Sequence, residues 1–332
     1  IQLIANAIDE KSAYTGGHCR RVPALTNMIA DAACRIDHGP LKDFHMDEDD
    51  KYALDVAGWL HDCGKITTPE YVVDKATKLE TIFDRVELVN TRFASLRQEA
   101  EIRMLRRFIQ ARGIGAVPED PQLQTEILQL QEDAEFIKTI NVGAESTSAA
   151  DQDRVREIGA RQWTDVEGTH KNLLTENEQH NLMIGRGTLT VRERQIINNH
   201  ISVTIEMLES LPYPKHLRKV PEFASGHHEK MDGTGYPRGL KREQMSIPAR
   251  IMAIADIFEA LTAGDRPYKK AMPLSKALTI LGNMKLNNHI DPDLFNLFIH
   301  EKIYLHYAEK FLSRDQIDEF DITAIPGYAP YH

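Results

Sequence analysis

Eight side chains of this sequence could together do metal chemistry: His18, His61, Asp62, Lys65, His200, His227, His228 and Asp256. His61, Asp62 and Lys65 fall in "WLHDCGK", at the end of an apolar run. His227 and His228 open "HHEKMDGTGYPRG", His200 lies in "IINNHISVTIEML", Asp256 in "ARIMAIADIFEALT", and His18 follows two glycines in "YTGGHCRRV". Singly, none makes a site. A lone histidine on a helix is more often satisfied or exposed than a ligand, a His-Asp dipeptide says almost nothing, and Lys65 would also suit the negative end of a helix dipole. Asp256 is more telling, because an acid buried in an apolar helix must be paired or bind a metal. Its plainer reading is a partly exposed acid at the rim of an apolar face.

Jointly, five histidines and two aspartates sit in apolar or glycine-flanked segments spread over most of the chain. Imidazole and carboxylate together suit divalent iron, manganese or zinc. Neighbouring residues on a helix point about 100° apart, so His61/Asp62 and His227/His228 could each address two adjacent ions, with an aspartate bridging them. More than four ligands overfill one tetrahedral ion and point to two. The glycines after Asp232 allow a sharp turn and Pro237 stiffens it, which would set the Tyr236 ring beside the histidines. The alternative for Tyr236 is a ring packed as a plug in a helix-ending loop.

Helices must carry these residues. Apolar periodicity predicts an all-α fold, with helices near 1–14, 18–36, 48–62, 80–111, 121–140, 151–164, 190–210, 215–231, 247–263, 273–285 and 291–312. Thr175 with Glu178 and Thr190 with Glu193 read as capping boxes, and Pro221 suits a first helical turn. Residues 80–140 differ from their flanks. Ile82, Val86, Val89, Phe93, Leu96 and Ala100 form a narrow heptad seam, as do Leu123, Ile127, Leu130, Ala134 and Ile137, with Gly113, Gly115 and Pro118 between them. That predicts a long helical hairpin, packing on itself or forming a homodimer contact. The polar stretch 141–153 reads as a loop.

Charge and composition narrow the partners. A net charge of −10 is poor for holding a polynucleotide by counterion release, yet a local metal or Lys/Arg cluster can still hold a small anion. Cys19, Cys34 and Cys63 give no disulfide framework, which suggests a reducing cytoplasm. No run of eighteen apolar residues and no signal peptide is visible. A chain opening at Ile1 rather than Met is read as a fragment, with an N-terminal sensor domain expected before it.

"HDCGK" followed by "HHEKMDGTGYP" and "IPARIMAIADIFEALTAGDRPYKKA" resembles the HD-GYP subgroup of the HD phosphohydrolase superfamily, over residues 1–75 and 170–285. The "HHExxDGxGYP" signature is highly specific. The resemblance implies an HD-domain helical bundle made of residues 1–79 and 166–332, with 80–165 as an inserted helical hairpin. It also implies a metal-dependent phosphodiesterase that opens cyclic di-GMP to linear pGpG and carries it on to GMP. His18, His61, Asp62, His200, His227, His228 and Asp256 match the metal ligands. Lys65 matches the catalytic lysine, while Tyr236, Arg266 and Lys269 match positions that hold the substrate. Solvated surface charge is the alternative for Arg266 and Lys269. Members with three metals carry a glutamate four residues before the first ligand histidine; here that position is Tyr14, with Asp9 and Glu10 nearby. Two divalent ions are therefore expected, iron or manganese ahead of zinc or nickel. In-line attack of water on phosphorus would break the P–O3′ bond. Asp62 would bridge the ions, Asp256 would ligate or orient water, and Lys65 would stabilise the transition state. The hybrid cyclic GMP-AMP as substrate, and a receptor that binds without hydrolysis, remain as alternatives.

Overall fold

Helices with one apolar stripe bury it against one another, and in this chain they do so around two separate cores. A computed structural model describes residues 5, 7, 17–113, 120–143, 146–264 and 271–330. Tyr14, Asp9 and Glu10, and the expected substrate contacts Arg266 and Lys269, lie outside the described residues. The described chain is all-α apart from one short ribbon, in which Gln162–Thr164 pairs antiparallel with His170–Asn172. Among the described residues no helix is long and apolar enough to cross a membrane.

The first unit comprises Ile1–Glu70 and Ile196–His332. Its helices are His18–Arg35, Glu48–Leu60, His200–Glu209, Val220–Ser225, Ile247–Thr262, Leu274–Leu286, Pro292–His300 and Ile303–Phe311. The spacing of Val22, Leu25, Ile29 and Ala33 puts one face of His18–Arg35 in the core, against Leu54 and Ala57 from Glu48–Leu60. Gly58 lets those two helices close up, because a Cβ there would lie 3.0 Å from the Cα of Pro23. Asp47 caps Glu48–Leu60 by accepting from the Asp50 amide at 2.8 Å, and three acids occupy its first turn. Ile247–Thr262 is buried on most of its circumference, with Ile251, Ile254 and Phe258 all inaccessible. Each such side chain contributes about 1.5–3 kcal/mol of apolar burial. Within this helix, Asp256 and Glu259 are out of place by polarity.

The second unit, Tyr71–Gln195, is built on the expected hairpin. Val86–Arg112 and Pro121–Asn141 pack through Ala100 with Leu123 and Ile127 at one end. Farther along, Val89, Phe93 and Leu96 meet Leu130 and Ile137, joined by Val155, Ile158, Leu173, Leu174 and Leu182. Three expectations change. Ile82 is 97% exposed and lies outside the helix, which starts at Val86. The residues before it form turns instead: Asp84 accepts from Thr77 Oγ1 and Asn141 Nδ2, and Glu80 accepts from the Ala76 amide. The loop expected over 141–153 gives way at Ala149 to a helix, begun by a Ser148–Asp151 capping box. That helix ends at Gly159, short of 164, where the ribbon begins; its turn is fixed by Asp165, which accepts from the Glu167 and Thr169 amides, and by Gly168 at φ 80°. The compact units themselves divide at 70/71 and 195/196. The cause is that Leu79, Leu173, Leu174 and Leu182 share the hairpin's apolar cluster. Both expected capping boxes form, Thr175 with Glu178 and Thr190 with Glu193.

Arg92 holds Glu178 at 2.7 and 3.1 Å, and Glu178 is 2% exposed. Burial pushes this carboxyl up, but the bonds from Arg92 and Thr175 outweigh it and leave it below its ordinary value of 4.5. A depressed carboxylate adds stability above its unfolded pKa and loses it as pH falls through the folded one. Arg92→Ala leaves the buried carboxylate without its cation. We expect it to lower unfolding free energy by about 2–4 kcal/mol at pH 7, with the difference shrinking below about pH 4.5. Urea titrations at the two pH values measure both effects; equal losses at both would refute the pairing as the cause.

Candidate metal centre

Six of the seven expected ligands come from segments that end or begin helices of the first unit. His18 is the first residue of His18–Arg35, after Gly17 at φ 100°. His61 and Asp62 follow Glu48–Leu60, His200 opens His200–Glu209, and His227 and His228 follow Val220–Ser225. The two adjacent pairs are thus not fanned along helices as expected; the helices stop at Leu60 and Ser225, and the pairs occupy the turns beyond. Asp256 alone lies mid-helix.

The structure brings all seven together. His18 Nε2 approaches His61 Nε2 at 3.2 Å and Asp256 Oδ1 at 3.3 Å. His200 Nε2 approaches His228 Nε2 at 3.2 Å. Three overlapping groups result that could each hold an ion: His61, Asp62 and His227 in the middle, and two outer groups, His18, His61 and Asp256 on one side and His200, His227 and His228 on the other. Asp62 stands between the outer two. Its Oδ2 lies 3.3 Å from His18 Nε2 and 3.4 Å from His61 Nε2, while its Oδ1 lies 3.1 Å from His200 Nε2 and 4.0 Å from His227 Nε2.

Hydrogen bonds fix which nitrogens face inward. His61, His200 and His227 each direct Nδ1–H to a backbone carbonyl three residues earlier, at Gly58 (2.7 Å), Ile197 (2.5 Å) and Ala224 (2.8 Å). In the neutral imidazole each Nε2 therefore carries its lone pair toward the centre. His18 instead donates Nδ1–H to Glu259 Oε2 at 2.5 Å. The test for a metal is His227 Nε2, a buried acceptor with no hydrogen-bond partner, which is costly unless a ligand satisfies it. Spacing agrees. Two ligands about 2.1 Å from one ion stand roughly 3.0 Å apart at a right angle and about 3.4 Å at the tetrahedral angle, which brackets both 3.2 Å Nε2 pairs. The residues present fit divalent cations.

The electrostatics point the same way. Burial pushes Asp62 up, but Lys65 and His61 outweigh it and hold the carboxyl well below the usual range. Asp256 is likewise held down, by bonds from His18 and His61 against the effect of burial. Burial disfavours the charged form of His61, yet the charge of Asp62 and bonds to Asp256 and Asp62 raise it to about 9. His227 goes the other way, to about 4, by burial and then by the charge on His61. Two fixed negative charges draw positive charge inward, and a cation must compete there with protons on the imidazoles.

Around this centre, Lys65 Nζ meets Asp62 Oδ2 at 2.5 Å. The Tyr236 ring stacks on His228 with centroids 4.8 Å apart and planes 17° apart. Its loop is held by Glu229, a fully buried carboxylate that accepts from the Arg238 amide at 2.8 Å and the Leu240 amide at 2.9 Å. Gly235 is required there, because a Cβ would lie 2.4 Å from the Lys230 nitrogen. Glu229, Glu259 and Arg21 were not singled out from the sequence. Glu259 and Arg21 each lie three residues after an expected ligand, on the same helix, and that spacing was the available signal.

The HD domain family model matches residues 176–294. A 3'3'-cGAMP-specific phosphodiesterase 3 of Vibrio cholerae is 43% identical over 109 residues, which is 33% of this chain and 23% of that protein. A probable cyclic di-GMP phosphodiesterase of Vibrio cholerae is 34% identical over 141 residues, 41% of this chain and 32% of that protein. A cyclic di-GMP phosphodiesterase of Thermotoga maritima is 38% identical over 96 residues, 29% of this chain and 26% of that protein. The chain thus spans between about a fifth and a third of the length of these relatives. Residues 176–294 thus match an HD domain, and the relatives that the chain resembles over part of their length are named as cyclic dinucleotide phosphodiesterases.

Proposed function

We propose that this chain is the catalytic part of a dinuclear phosphodiesterase that hydrolyses cyclic di-GMP to linear pGpG and then to GMP. The observation that carries the reading is Asp62, whose two oxygens face two separate imidazole groups. His18, His61 and Asp256 would hold one ion, His200, His227 and His228 the other, and Asp62 would bridge them. Divalent ions supply Lewis-acid polarisation of a phosphate oxygen and an activated water at neutral pH. The mixed imidazole–carboxylate donors favour iron or manganese.

The chain's own groups do the rest. Asp62 and Asp256 keep the pocket anionic enough to retain cations once the imidazoles are neutral. Lys65 holds its ammonium against Asp62, placed to offset charge growing on the phosphate and the leaving O3′. Tyr236 offers a flat ring over His228 for a guanine base or the sugar edge. Arg266 and Lys269 complete the proposal as phosphate contacts. Residues 80–165 are proposed as a helical insertion into the HD domain, outside the stretch 176–294 that the family model matches.

Tyr236→Ala should raise KM by about 5- to 30-fold, from the loss of roughly 1–2 kcal/mol of stacking, and leave metal content unchanged. Steady-state kinetics with elemental analysis reads both; loss of metal would mean that Tyr236 supports the ligands instead.

A second reading has its own support, since the relative with 43% identity is named for cGAMP: the substrate would be the hybrid cyclic GMP-AMP. Protein supplied anaerobically with Fe(II) or Mn(II) should convert cyclic di-GMP to pGpG, resolved by chromatography. Turnover of the hybrid alone selects the second reading, and tight binding without product defines a receptor.

A further inference from the structure

Four of the histidines around the centre have their orientation fixed by a visible partner at Nδ1, and three of those partners are neutral backbone carbonyls. His18 differs: its Nδ1–H meets Glu259 Oε2 at 2.5 Å. Glu259 is 1% exposed, and its second oxygen accepts from Arg21 Nε at 2.7 Å. The arrangement is reciprocal. The helix His18–Arg35 supplies a ligand and, one turn on, Arg21. The helix Ile247–Thr262 supplies Asp256 and, one turn on, Glu259. Residues three apart share a helix face, so each helix brings one inner group and one supporting group to the same side. Arg21 answers the buried charge of Glu259, which lets that carboxylate stay ionised behind His18.

Resting on the dinuclear reading above, we propose that Glu259, steadied by Arg21, is the positioning residue that sets the affinity of one ion site only. A carboxylate behind an imidazole fixes the ring and its tautomer and makes the inward nitrogen a stronger donor than a carbonyl partner does. The His18–His61–Asp256 group has this support. The His200–His227–His228 group, whose visible Nδ1 partners are carbonyls, does not depend on it. The two ions are therefore held unequally, and the difference lies in the pair Glu259–Arg21.

The test is a competition titration of metal-depleted protein with Mn(II) or Fe(II) against a chelator of known affinity, with stoichiometry from elemental analysis. Wild type should take up two ions. Glu259→Ala should weaken one of them by about 10- to 100-fold and leave the other at wild-type affinity. Glu259→Gln keeps size and an acceptor oxygen but removes the charge, and should weaken the same ion by about tenfold. Two ions at wild-type affinity in both variants would overturn the proposal, as would equal weakening of both ions in Glu259→Gln. A wild-type chain that takes up no ion overturns the dinuclear reading itself, and that outcome is visible before any variant is titrated.

Discussion

Asp62→Ala is expected to empty both ion sites and to cut turnover by roughly three orders of magnitude or more, since several kcal/mol of transition-state charge stabilisation go with the metals. The reason is positional. Asp62 Oδ2 faces His18 and His61, and Oδ1 faces His200. Deleting one side chain therefore removes an oxygen from each group, and with it the counter-charge that Lys65 meets at 2.5 Å. Asp256→Ala is the informative comparison, because among the described residues the histidines that Asp256 approaches are His18 and His61. It should release one ion and retain the other. Elemental analysis of the two variants beside wild type separates a bridging ligand from a terminal one. Two ions retained in Asp62→Ala would remove the bridging role, whatever happens to activity.

The seven converging side chains were legible in the sequence because imidazoles and acids stand out against apolar helices, and the histidine pair precedes a glycine-rich turn. Their supports were less visible. Glu259 follows Asp256 by three residues in "ADIFEALT", yet only tertiary packing brings His18 to within 2.5 Å of it across 241 residues. Glu229 reads as one more charge in "HHEK", and its function as the buckle of the Tyr236 loop depends on amides nine and eleven residues later. The helices were foreseen by their period, but their ends were set by side chains competing for backbone groups. Asp84 and Glu80 hold turns where Ile82 had suggested a helix. In the first unit, Lys302 at φ 50° parts Pro292–His300 from Ile303–Phe311 within what reads as one periodic segment over 291–312. Periodicity reports which face is buried; it does not report where the backbone finds a better partner.

Gly64→Ala should be as damaging as loss of a ligand, though Gly64 touches no ion. A Cβ at this position would lie 2.0 Å from the His200 carbonyl oxygen and 2.6 Å from the Thr204 nitrogen. Both are backbone atoms of a helix start and cannot swing aside as a side chain could. The Gly64 amide also donates to Thr204 Oγ1 at 2.9 Å, so the turn after Asp62 is seated directly on the helix that begins with His200. Relief of the overlap requires the two segments to part by about 1.4 Å, given that Cβ contacts below about 3.4 Å are already repulsive. That displacement acts on the 3.1 Å approach of Asp62 Oδ1 to His200 Nε2, where coordination tolerates only about 0.2 Å. The expected result is a loss of about 2–3 kcal/mol of stability together with at least a hundredfold loss of turnover, as follows from a misplacement of this size. Thr204→Val provides the control, since it removes the hydrogen bond but leaves room for the turn, and should cost about 1 kcal/mol with activity largely kept. Denaturant titration and turnover measured on both variants decide the matter. Wild-type activity in Gly64→Ala would show that Asp62 and His200 do not share an ion.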